Sequence, residues 1–185
     1  MVAITVPNDY SPIQLAARAA GAIDRDFWVA PPQHLNYFDA PSLGALLARL
    51  PRVLAPGGVV AITVPNDFSP IQLAARASGA ITHDFWLAPP QHLNYFDAPS
   101  LTALLTRLGF EIRIAYASFP IDWFLFHPGS NYVADPAAGK PAHRARMAID
   151  LVLAEQGLPA WLKLGEALLG CGAGRSLTVI AAPAR

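Results

Sequence analysis

Asn66 and Asp67 follow directly on the uncharged run VAITVP at 60–65. An amide and a carboxylate in that place can hold a polar substrate, because ligands of open α/β sheets bind beyond the carboxyl ends of the strands. Further on, HLNYF at 92–96 adds His92, Asn94 and Tyr95. His92 is a candidate proton acceptor, and Asn94 and Tyr95 would line the same substrate mouth. A plainer reading makes Asn66 and Asp67 a turn, His92 a hydrogen-bonder that pins a loop, and Tyr95 and Phe96 core. A second group lies in the aromatic stretch FPIDWFLFHPGSNYVADPAAGK at 119–140, with Asp122, Trp123, His127, Asn131 and Tyr132. Lys140, His143, Arg144 and Arg146 then crowd the first turns of an expected helix. Cations there oppose the helix dipole, which hints at a phosphate or carboxylate on the substrate. Solvated surface charge is the competing reading.

Other chemistries find no support. The five histidines, at 34, 83, 92, 127 and 143, show neither H-x-x-x-H nor H-x-x-E-H spacing, and Cys171 is the single cysteine, so no metal site is expected. There is no G-x-S-x-G and no P-loop. GCGAG at 170–174 imitates a ligand-cradling glycine loop. Such a loop needs strand, glycines, helix in that order. Here the order reads helix, glycines, strand, so a helix stop and a turn are expected.

Lys plus Arg and Asp plus Glu balance at 13 each. No global field therefore draws in nucleic acid or an anionic membrane. A hydrophobic share of 54% against 14% charged is the reverse of a disordered composition. No basic segment precedes an apolar run at the start, and no run reaches the ~20 apolar residues that span a bilayer. A soluble, cytoplasmic α/β protein is expected.

The elements that must position these side chains occur twice. Residues 1–50 match residues 59–108 at a constant offset of 58, identical at 42 of 50 positions. Solenoid repeats drift further and need at least three copies, so a recent tandem duplication of part of one domain, or equally a faulty gene assembly, fits better. Each copy reads as a buried strand (2–7 and 60–65), a helix, an aromatic loop and a leucine-rich helix. Ser69 and Asp97 are the expected caps of the two helices in copy two, and Gly79 and Gly109 their stops. The alternation of Phe110, Ile112, Ile114 and Tyr116 predicts a strand. A helix over 141–157 is expected to turn Ala142, Ala145, Ile149, Val152 and Leu153 inward. A short helix over 159–169 and a strand over 175–184 follow.

The run RVLAPGGVVAITVPN at 52–66, then HLNYF, a leucine-rich helix closed by GF at 109–110, a strand, an insertion and LTVIAA at 177–182 resemble the C-terminal half of class I S-adenosylmethionine-dependent methyltransferases. The resemblance covers roughly residues 44–185. It implies a partial Rossmann-like sheet, mostly parallel, with helices on both faces. It also implies S-adenosylmethionine as cofactor and methyl transfer to an O, N or C nucleophile of a small molecule by direct displacement. The family's glycine loop after its first strand, and the acid that ends its second, have no counterpart here. Copy one stands in their place, so cofactor binding by this chain is not expected.

By this reading, substrate contacts fall to Asn66, Asp67, Asn94, Tyr95, Trp123, His127, Lys140, His143 and Arg146. Their twins Asn8, Asp9, His34, Asn36 and Tyr37 inherit less. Residues 1–58 form a partial duplicate unit and 59–185 the methyltransferase-like part, packed as one body. The expected strand order is 2–6, 59–64, 175–182, 110–117, with strand 2–6 parallel to 59–64. The apolar edge this leaves favours a homodimer. The alternatives to an enzyme are a non-catalytic module that pairs with itself or with a complete enzyme and, third, a carbohydrate- or anion-binding protein that uses the aromatic insertion and the basic cluster at 140–146.

Overall fold

The computed structural model describes residues 2–4, 16, 18–21, 40–87 and 95–184. Four strands form one sheet in the order β1-β2-β4-β3: β1 Val2–Ile4, β2 Val60–Pro65, β3 Phe110–Ala117 and β4 Ser176–Pro183. This is the expected order. The expected direction needs correction, because the sheet is not mostly parallel. β4 runs antiparallel to both β2 and β3, and only the short β1 lies parallel, on β2.

The reason lies in the connection. Between β3 and β4 the chain makes two helices, α4 Gly139–Glu155 and α5 Leu158–Gly170. One goes out and the other comes back. The chain thus re-enters the sheet at the end it left, where Ser118 N–H donates to Ser176 O at 2.9 Å. A parallel return would need a crossing to the opposite end.

Two helices that descend from the same duplicated segment cover one face of the sheet. They are α1 Ala40–Arg49 and α3 Ala98–Arg107. Leu47 of α1 and its repeat equivalent Leu105 of α3 enter one core cluster with Val60, Ile62, Phe110, Val179 and Ala181. On the other face Thr63 and Thr178 join through their hydroxyls at 2.9 Å, and α5 packs on β3 with Trp161 edge-on to Tyr116. Helices therefore lie on both faces, as expected.

The caps form as read from sequence. Asp97 caps α3 through the Ser100 N–H, and the Ser100 hydroxyl holds the Asp97 carboxyl below its usual range. Helix α2, Pro70–Ala77, starts with Ser69 in a capping box with Gln72. The turn before β2 needs glycine at Gly58, where a Cβ would meet Ala55 O at 2.8 Å. The inward face of α4 is another correction. Ala142 is buried and Leu153 half-buried, but Ala145, Ile149 and Val152 are exposed. Among the described residues α4 packs on α5 and on the turns of the 119–140 insertion, while α5 is the helix that lies on β3. Among the described residues no helix is long and apolar enough to cross a membrane.

Candidate functional site

A polar cluster sits where β2 ends and β4 begins. Asn66 N–H donates to Arg175 O, and Asn66 Nδ2 donates to the carbonyls of Gly172 and Gly174, each at 3.0 Å. The side chain thereby ties the end of β2 to the start of β4. Next along, Asp67 Oδ1 lies 3.5 Å from Arg175 Nη1. On the far side Arg175 Nε lies 3.9 Å from Asp122 Oδ1. One guanidinium thus stands between two carboxylates that are 5% and 2% exposed, and it also lies over the Phe85 ring at 5.8 Å.

Asp122 is the hub. Its Oδ2 accepts from Gln72 Nε2 at 3.1 Å, and its Oδ1 accepts a short hydrogen bond from the Tyr132 hydroxyl. Burial, and then the neighbouring Asp122 carboxylate, push the Tyr132 phenol well above its usual range. Asn131 anchors the insertion from behind by donating to Ala80 O and Leu125 O. Charge at this depth is costly unless it is paired and hydrogen-bonded. Asp122 is both, whereas Arg175 is paired with the two carboxylates while its buried Nη1 makes no hydrogen bond among the described residues.

An aromatic wall adjoins the cluster. Phe68 meets Trp86 and Tyr95 edge-on, with ring centroids 6.0 and 5.6 Å apart. Phe85 meets Trp86 and Tyr132 in the same manner. Phe68 is the one described non-glycine residue at positive φ, +57°, a conformation that costs roughly 1–2 kcal/mol. Even so its ring is 46% exposed. Such strain gathers where geometry serves a ligand.

The residues singled out from sequence fall into groups. Asn66 and Asp67 belong to the polar cluster, and Tyr95 to the aromatic wall. Trp123 and His127 are exposed on the insertion, where His127 Nδ1 accepts from Gly129 N–H. Lys140 and His143 are exposed on the first turns of α4, and Arg146 pairs with Asp150 along the same helix. His92 and Asn94 lie outside the described residues, as do Asn8, Asp9, His34, Asn36 and Tyr37. Arg175 and Gln72 were not foreseen. Arg175 follows the glycine turn at the mouth of a strand, and Gln72 is a polar residue on the buried side of α2. Those two positions were the available signals.

Gly172 and Gly174 of GCGAG do not form a cradle for a sulfonium cofactor, because the chain itself fills the space beside them. A Cβ at Gly174 would meet Ala117 Cβ at 2.5 Å, and one at Gly172 would meet the Pro70 ring at 3.1 Å. The Gly172 and Ala173 N–H groups close the end of α5 on Leu169 O and Leu168 O, so they are not available to a ligand. Among the described residues no group of His, Cys, Asp or Glu could hold a metal.

Residues 33–114 match the family model of a methyltransferase domain. The match takes in α1, β2, α2 and α3 and ends within β3. No curated protein matches the chain.

Proposed function

We propose that this chain is built on a methyltransferase scaffold that acts on a small molecule, and that its described residues supply the acceptor side of the site. The observation that carries this is a coincidence of place. The methyltransferase-domain match contains the end of β2, where Asn66, Asp67, Phe68 and Tyr95 converge. In this reading Arg175 and the carboxylates on either side of it orient a polar group of the acceptor. The half-exposed Phe68 ring, backed by Trp86 and Tyr95, stacks on its flat or apolar part. His92, a short way along the chain from Tyr95, is the proposed proton acceptor, with Asn94 beside it in sequence. Trp123, His127, Lys140, His143 and Arg146 are the proposed outer contacts. The methyl donor is S-adenosylmethionine by family likeness, and its grip must come from elements other than those described.

The filled glycines favour a second reading, a methyltransferase-like module that does not turn over alone. Calorimetric titration with S-adenosylmethionine tests the division of labour. No binding at millimolar donor is the expected result. A micromolar Kd for the chain by itself would overturn the assignment of only the acceptor side.

A further inference from the structure

Val2, Ala3 and Ile4 pair in parallel with Val60, Ala61 and Ile62. Each pair is separated by the offset of the duplication, 58. Strand β1 is therefore laid on its own duplicate, valine on valine, alanine on alanine, isoleucine on isoleucine. β1 is the outer strand of the sheet and β2 is its one neighbour there. Residues 5–39 separate it from α1. An edge strand whose pairing partner is a copy of itself is the kind of element that neighbouring chains can exchange.

We propose that the edge of β2 is a homotypic docking site whose occupant is the VAITV strand of copy one, taken either from the same chain or from a second copy of it. Two chains then exchange this strand reciprocally, while α1 of each stays in its own core. The exchanged pairing is chemically the same as the internal one: the same residues, the same direction, the same register. No ladder hydrogen bond is lost in the exchange, and the balance is set by protein concentration against the entropy of association. The extended segment adds main-chain hydrogen bonds to an open sheet edge, the general mode of strand addition. The proposal stands apart from the methyltransferase reading, since it needs only the repeat and the register.

The test uses full-length chains carrying two different affinity tags, mixed at high concentration and then purified through one tag. Recovery of the second tag is expected, and loss of that recovery to background is expected when residues 2–6 of both chains are replaced by Gly and Ser. Circular dichroism checks that the replaced chains still fold. No recovery from the unaltered chains would overturn the proposal. Recovery that survives the replacement would overturn it too, because the contact would then lie elsewhere. A second arm places Ala3→Cys on one chain and Ala61→Cys on the other, both with Cys171→Ser. A short bifunctional thiol reagent is expected to join them into a mixed dimer. Failure to join them, while a chain carrying both cysteines bridges only internally at every concentration, would leave the pairing strictly intramolecular and reject the exchange.

Discussion

Gln72 Nε2 donates to Asp122 Oδ2 at 3.1 Å across 50 positions of sequence. The same side chain accepts from the Ser69 N–H through Oε1. One glutamine thus closes the capping box of α2 and fastens the single-copy insertion to the duplicated unit.

Removing the hub of that network should be expensive. Asp122→Ala leaves the Tyr132 hydroxyl, the Gln72 amide and the flank of Arg175 without their common acceptor. The expected cost is about 3–5 kcal/mol, read as a drop in the urea midpoint. Asp122→Asn keeps an acceptor oxygen and should cost less.

Tyr132 should make the protein sensitive to alkali. Its phenol is raised above the ordinary 10.0 in the folded chain. Above pH 10 the unfolded chain has released this proton and the folded chain still holds it, so the unfolded state binds fewer protons and stability falls as pH rises. Below pH 10 both states hold the proton and the contribution is fully present. Denaturant unfolding from about pH 9 to about pH 11, either side of the ordinary tyrosine value, should show a downward slope that Tyr132→Phe makes shallower.

The two glycines of GCGAG that bracket the turn should behave differently. Gly174→Ala forces a Cβ into Ala117 and Ser118 at a φ of +102°, and a loss of at least about 2 kcal/mol is expected. Gly170→Ala meets nothing within 4 Å and should be close to neutral or slightly stabilising, since it lies at the end of α5. Thermal melts of the two variants decide this. Equal losses would contradict the packing role assigned to Gly174.

Leu47 and Leu105 occupy equivalent places in the repeat and share one core cluster. Leu47→Ala and Leu105→Ala should each cost about 2–5 kcal/mol. Val152→Asp, on the exposed flank of α4, should change stability by less than about 0.5 kcal/mol. Chemical denaturation of the three variants compares them directly.

Much of this fold was legible because local patterns carry it. The alternation in 110–117, the caps at Ser69 and Asp97 and the apolar run of β2 all depend on near neighbours in sequence. The direction of β4 was not legible, because an apolar run looks the same whichever way it points. Direction was set by α4 and α5, two helices that bring the chain back to its starting end. The site divides along the same line. Asn66 and Asp67 declare themselves by following a strand. Arg175 acquires meaning only when folding brings Asp67 and Asp122 to it from distant parts of the chain. On α4, Ala145, Ile149 and Val152 follow helical spacing, yet periodicity does not reveal whether anything lies opposite to cover them.

The twin strands bear on the birth of the molecule at the ribosome. Copy one emerges before copy two, and VAITVP is the same six residues in both, at 2–7 and at 60–65. β4 is the strand that embraces β2 on its second edge, and it follows both copies in the chain. The inner place in the sheet therefore belongs to whichever copy β4 joins, and in the folded chain that is copy two.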